Sequence, residues 1–430
     1  MANQRNQLIK KKVKPQEPGA TRRIVMGAVI LLFGVFIWFA FSRNIGADTE
    51  TIFVLTPGGG AETVPDVQFN TLRGLNIFAG ICAALGAYQI AVGFKKYTNV
   101  ILAVAGGILT ISFLAWGAGG GSINVGGMLR VMILRSVPIT LGALAGVLSE
   151  RAGVVNLAIE GMMISGALVA AIVGSIAGLW VGMLAAIVAG GLTAILHAIL
   201  SIKYRIDQTI SGTIINITSI GLTSYLVTKI LQNRDLHYLN DSGFFQPIHL
   251  PVLSKIPFIG PILFSHNIYI YFMYILIILL SVILFYTRWG LRLRSVGEHP
   301  KAADTLGVNV FRMRYVAVIL SGMMAGFAGS FFVLGSIGYF EQQMTAGRGF
   351  ISLAAMIFGK WTPIGSFGAS LLFGFAEALA TNLSILKFPI PAELLLTLPY
   401  VITMVVLAGV VGRSRGPAAA GIPYEKESLH

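Results

Sequence analysis

The segment Ser149-Glu150-Arg151-Ala152-Gly153-Val154-Val155-Asn156-Leu157-Ala158-Ile159-Glu160-Gly161 sets charged and amide side chains in and beside a long apolar stretch. Asn156 and Glu160 stand four residues apart and so share one face of a helix. An amide with a carboxylate can donate to and accept from sugar hydroxyls or the edge of a base. That is chemistry suited to a polar solute on an apolar route. A carboxylate in hydrocarbon costs a few kcal/mol unless it faces protein, water or a partner. Two explanations compete for Glu160: contact with a solute, or pairing with an arginine such as Arg135 while Asn156 braces a helix break. Asn216, with Ser211, Thr213 and Thr218, gives another span unusual polarity that could line the pathway, while Glu377 and Asn382 could face the pathway or the outer rim. Hydroxyls on such helices also bond back to their own carbonyls. His197 is a lone histidine on an apolar helix and fits a hydrogen-bonded structural residue. Glu150 and Arg151 fit the edge of a membrane, where they stabilise topology.

A second cluster is Gly297-Glu298-His299-Pro300-Lys301-Ala302-Ala303-Asp304-Thr305-Leu306-Gly307. Pro300 suits a first helical turn, Ala302 and Ala303 favour helix, and Gly307 suits its end. A short helix with a small-residue face can seat in a groove on a cytosolic partner. The plainer reading is a basic loop between two spans.

The elements that must position these residues are membrane helices. Of 430 residues 55% are hydrophobic and only 11% charged, where a soluble domain carries roughly a quarter charged. The apolar runs reach the roughly 20 residues needed to cross a bilayer as helix. The expected fold is all-α: a polytopic transmembrane bundle of about twelve spans. They lie near 24–42, 75–94, 98–117, 128–148, 152–177, 179–200, 209–230, 268–287, 315–336, 349–362, 365–384 and 391–411. Lys95, Lys203, the Arg288–Arg314 cluster, Arg413 and Arg415 fall on one side under this count, which makes both termini cytoplasmic. The short run 349–362, followed by the turn Gly359–Gly365, suggests a re-entrant or broken helix, and 152–177 starts with polar residues that suggest another. Glycines after Ala152 and Ala346 echo each other, as expected of two pseudo-repeated halves. Gly322, Gly326 and Ser330 form a ladder suited to close helix contact.

The net charge of +14 follows from those loops and from the basic residues Lys10 to Arg23, so nucleic acid is not an expected partner. The run 24–41 exceeds a signal-peptide core and lacks a small-x-small cleavage site, which favours a retained anchor. A single cysteine, Cys82, and scattered histidines give no disulfide, metal centre or cofactor site. There is no G-x-x-x-x-G-K-[ST] loop. If ATP drives this protein, another chain binds it.

Residues 128–412 resemble the permease subunits of bacterial ATP-driven nucleoside and simple-sugar importers, relatives of branched-chain amino acid and ribose permeases. The resemblance is carried by the Glu150–Met163 stretch, Leu134-Arg135-Ser136-Val137-Pro138, Ile210–Asn216 and Gly347–Trp361. It implies a nucleoside substrate, a cytosolic ATP-binding subunit, a second non-identical permease and an extracytoplasmic substrate-binding lipoprotein. It also implies a bacterial cytoplasmic-membrane location. The loop would then be a coupling helix, with Glu298, Ala302, Ala303 and Gly307 in matching places beside Gly297 and Pro300. Asn156, Glu160, Asn216 and Glu377 would line the substrate pathway. The division expected is a basic arm 1–23, an extension 24–127 with about three helices, a permease core 128–412 and a cytosolic tail 413–430. Sugar import on the same fold is one alternative. A secondary transporter using Glu160 as a proton site is the other.

Overall fold

The computed structural model describes residues 20–58, 64–385, 397 and 415–426. Among these, ten helices are long and apolar enough to cross a membrane. The expected span 391–411, apart from residue 397, lies outside the described residues. Residues 349–362 do not form a full span: the helix there is Arg348–Phe358, 11 residues, or about 16 Å, roughly half a hydrocarbon core.

The chain divides into two compact units at Val125/Gly126. The first contains α1 (Ala20–Phe36), α2 (Thr71–Ala91) and α3 (Thr98–Gly117). A small sheet, β1 (Glu50–Val54), β2 (Val67–Asn70) and β3 (Ser122–Asn124), joins their ends in the order β2-β1-β3. Ile30, Ile37, Leu75, Cys82 and Ala105 are buried between the helices. Phe41 stacks on Trp116 with ring centroids 5.0 Å apart. Leu32, Phe36 and Phe39 are more than half exposed, which for a membrane helix is the face offered to lipid.

The second unit holds α4 (Val125–Glu150), α5 (Ile159–Ala177), α6 (Leu179–Ala198), α7 (Gln208–Leu226) and α8 (Ile268–Tyr286). It continues with α9 (Arg288–Glu298), α10 (Pro300–Thr305), α11 (Val310–Phe332), α12 (Arg348–Phe358) and α13 (Pro363–Ile385). Local sequence sets several starts. Asp207, Thr287 and Asn309 accept backbone N–H groups at the beginnings of α7, α9 and α11. Pro300 occupies the first turn of α10, whose cap is His299. These caps satisfy donors that a helix cannot satisfy itself.

The centre of this unit is a seam of small residues. A Cβ on Gly166 or Gly190 would stand 2.7 Å from Gly326 backbone, and one on Gly322 would collide with Ala194 and Gly190. The Gly322/Gly326 ladder therefore brings α11 against α5 and α6 backbone to backbone. Ser330, the third rung, instead shares a 2.7 Å hydrogen bond with the Tyr269 hydroxyl.

Candidate translocation site

Two stretches of the second unit leave helical geometry between apolar helices. Residues 151–158 run from the end of α4 to the start of α5, and residues 338–347 run from the π-helical turn Val333–Ile337 that extends α11 to the start of α12. Backbone freed inside a bilayer must find partners in the protein, and the polar residues singled out above supply many of them.

In the first stretch the Ser149 hydroxyl donates to the Val154 carbonyl at 2.7 Å, and the Val155 N–H donates to Gln208 Oε1 at 2.6 Å. His197 Nε2 donates to the Val155 carbonyl at 3.0 Å, while Nδ1 lies 3.0 Å from the Ser211 hydroxyl. A carbonyl can only accept, so the proton sits on Nε2 and Nδ1 takes the hydroxyl hydrogen. Asn216 works at both ends of its amide: Nδ2 donates to the Leu157 carbonyl and Oδ1 accepts from Gly161 N–H, each at 2.7 Å. Asn156 is fully buried. Its Oδ1 accepts from Ala158 N–H at 3.1 Å and its Nδ2 donates to Ser321 at 3.0 Å.

The second stretch ends at α12, and there one side chain does the work. Glu160 Oε1 accepts from the Thr345 hydroxyl at 2.6 Å and from Gly347 N–H at 2.9 Å. Oε2 accepts from Gly349 N–H at 2.6 Å. A carboxylate there also meets the positive end of the α12 dipole. Gly347 has φ +77°, a conformation that favours glycine. A Cβ on Gly349 would stand 2.6 Å from the Glu160 nitrogen, so only glycine permits this approach. The starts of α5 and α12 thus meet, each capped by a side chain from elsewhere in the chain.

Glu160 does not pair with Arg135. Its distant backbone partners occupy both carboxylate oxygens, and Arg135 instead approaches Glu377, at 3.9 Å. Glu377 accepts from Arg348 at 3.1 Å, with both side chains about 15% exposed. Asn382 and Thr213 bond back to carbonyls of their own helices, whereas Ser211 serves His197.

Beside the second break lies a half-open cavity of about 460 Å³. Arg135, Leu134 and Pro138 of α4 line it, with Phe331 and Phe332 at the end of α11, Ser336 in the turn after it, then Glu341, Met344 and Arg348. Pro138 has no N–H, so the Leu134 carbonyl loses its intrahelical partner. The Arg348 guanidinium lies over the Phe332 ring at 5.6 Å. None of Asn156, Glu160, Asn216 and Glu377 is among the lining residues; the first three hold the backbone that shapes the site, and Glu377 holds Arg348. Arg348 and Glu341 were not singled out by sequence reasoning. The cation in Gly347-Arg348-Gly349, inside an otherwise apolar stretch, was the signal available.

At the other end of the unit α9 meets the backbone of the first break, with α10 following it. A Cβ on Gly297 would collide with the Arg151 carbonyl. Glu150 accepts from Trp361 Nε1 at 2.6 Å, and Arg151 Nε donates to the Trp361 carbonyl at 3.0 Å. Ala303 is buried with Val296, Val310 and Tyr424, while Ala302 and Gly307 are exposed. Of the two alanines expected on a docking face, only Ala302 is available there. Residues 415–426, expected as a tail, lie across this end. Ala419 N–H donates to the Gly297 carbonyl at 2.9 Å, Ala418 N–H to Glu298 at 3.3 Å, and Arg314 to the Ile422 carbonyl at 3.0 Å. Arg205 pairs with Glu425.

A family profile described as the permease component of the branched-chain amino acid transport system matches residues 128–410. The guanosine ABC transporter permease protein NupQ of Bacillus subtilis (strain 168) is 41% identical over 304 residues, covering 68% of this chain and 95% of the relative. The nucleoside ABC transporter permease protein NupC of Lactococcus lactis subsp. cremoris is 39% identical, covering 69% of this chain and 95% of the relative. TsgC13 of Haloferax volcanii, provisionally named as a glucose ABC transporter permease protein, is 31% identical, covering 70% and 98%. No solved structure matches the chain. A bundle with two interrupted segments that meet, the second beside a mainly apolar cavity carrying two arginines and a glutamate, in a sequence matched over most of its length by transport permeases, belongs to the branched-chain amino acid transport system permease family as a multi-pass membrane subunit.

Proposed function

We propose that this chain is one of two non-identical permeases of an ATP-driven nucleoside importer in a bacterial cytoplasmic membrane, with both termini in the cytosol. The observation that carries the reading is the 41% identity to a guanosine permease over 95% of that relative, against 31% for the glucose-named one. The cavity supports it. Its volume lies within the roughly 300–1,000 Å³ of small-molecule sites, and rings, arginines and a carboxylate line it. An extracytoplasmic lipoprotein delivers the nucleoside to this cavity. A cytosolic subunit binds ATP and docks on α9–α10, where Ala302 and the 85% exposed Leu306 are offered. ATP shifts the two halves only if the docked subunit prefers one of their arrangements. Residues 415–426, hydrogen-bonded to Gly297 and Glu298, carry that preference toward the first break.

The test is uptake of radiolabelled guanosine into proteoliposomes holding the complete importer. The expected result is accumulation that needs ATP and the lipoprotein, with none by this chain alone. Accumulation by this chain alone, collapsed by a protonophore and indifferent to ATP, would replace the reading with a secondary transporter. In the complete importer Leu306→Asp is expected to leave assembly of the membrane part intact and to separate ATP hydrolysis from uptake. Normal coupling in that variant would move the dock elsewhere.

A further inference from the structure

We infer that Arg135 and Glu341 read the base of the transported nucleoside, and that they select a 6-oxopurine, with guanine the best fit. The inference rests on the nucleoside reading above and adds the class of base.

Arg135 is 44% exposed, lines the cavity, and comes no closer than 3.9 Å to its ion-pair partner Glu377, which is beyond hydrogen-bond distance. Among the described residues its guanidinium makes no hydrogen bond, so its planar fork of N–H donors is unspent. Arg348 differs. It is 15% exposed, hydrogen-bonded to Glu377 and to the Thr345 carbonyl and seated over Phe332, so both its terminal nitrogens and one face of its guanidinium plane are already engaged. The two arginines therefore do different jobs: Arg348 holds Glu377 and the cavity wall, and Arg135 is left to meet a solute. Glu341 brings an exposed carboxylate to the same cavity.

Guanine presents two neighbouring acceptors, O6 and N7, which a guanidinium meets bidentately. Its N1–H and N2–H₂ donors suit a carboxylate. Adenine offers an N6 amino donor where Arg135 needs an acceptor, and an N1 acceptor where Glu341 needs a donor. Cytosine and uracil lack N7 altogether. Arg135 and Arg348 balance Glu341 and Glu377 in formal charge, which suits an uncharged nucleoside and gives no surplus cation for a phosphate.

The test measures maximal transport rate in proteoliposomes of the complete importer, with the binding lipoprotein saturated by each labelled solute so that its own selectivity is removed. Wild type is expected to move guanosine about tenfold faster than adenosine or 7-deazaguanosine, the latter lacking only N7. Arg135→Lys keeps the charge but loses the fork, and should bring guanosine down to the 7-deazaguanosine rate without slowing 7-deazaguanosine further. Glu341→Gln should likewise erase the difference between guanosine and 1-methylguanosine. Equal wild-type rates for guanosine and 7-deazaguanosine would overturn the inference while leaving nucleoside import standing, and that comparison needs no variant to fold. If wild type moves glucose and no nucleoside, the nucleoside reading and this inference both fall.

Discussion

At residues 151–158 the interrupted backbone is served by neutral side chains: Asn156 of the break itself, with Ser149, His197, Gln208 and Asn216 from three helices. In the second break Asn240 holds Phe340 and the Ser242 hydroxyl donates to the Gly338 carbonyl, but at its α12 end, residues 345–349, the corresponding duty falls on the carboxylate of Glu160. The first arrangement spreads the stabilisation over many bonds, each worth roughly 1 kcal/mol net and 1–3 kcal/mol if one partner is removed. The second concentrates it in charge-assisted bonds about twice as strong, all dependent on one residue. A distributed brace resists any single loss and is hard to release. A concentrated one is released by moving one carboxylate by an ångström or two. The second break also carries Glu341, Met344 and Arg348 into the cavity wall, so it is the one expected to rearrange as solute passes.

The contrast predicts an order of effects. Glu160→Gln should be the most damaging, because an amide N–H₂ then faces backbone donors. We expect a loss of about 3–5 kcal/mol, seen as a large fall in the midpoint of thermal unfolding of the detergent-solubilised protein, with loss of uptake. Asn216→Ala removes two bonds of the first break and should cost about 2–3 kcal/mol by the same measurement. His197→Phe keeps the ring volume but orphans the Val155 carbonyl and the Ser211 hydroxyl, for about 1–2 kcal/mol. Thr345→Val is the mildest, about 1 kcal/mol, and in a double-mutant cycle with Glu160→Gln its effect should largely vanish. If Asn216→Ala proved costlier than Glu160→Gln, the distinction between distributed and concentrated bracing would fail.

Composition and apolar run length made the all-α membrane fold legible, and the shortness of 349–362 marked a re-entrant or broken helix. Residue types at the site were legible too: Asn156, Glu160 and Asn216 stood out because polar groups in apolar helices need a reason. Asn156 as the brace of a helix break was legible as one of two readings; the partners of Glu160 and Asn216 were not. Spacing says which side chains share a face, but not which backbone groups have lost their helical partners, and Glu160 finds its donors 185 residues or more further along. The expectation of an Arg135–Glu160 pair failed on that ground, since backbone donors at the start of α12 outcompete a guanidinium for the same oxygens. Ala303 was read as surface because a helix without a partner has no inside. Tyr424, buried against Val296, Ala303 and Val310, supplies one. Residues 415–426 show no apolar periodicity, so nothing in their spacing marks a segment that returns to the bundle.

The glycine seam of α5, α6 and α11 has a mechanical consequence. With Gly166, Gly190, Gly322 and Gly326 in backbone contact, these three helices have no soft side-chain layer in which to slide. They behave as a plank, and any tilting of the halves bends at the joints on either end of it. Deuterium would enter the amides of that plank last, and those of 338–347 early.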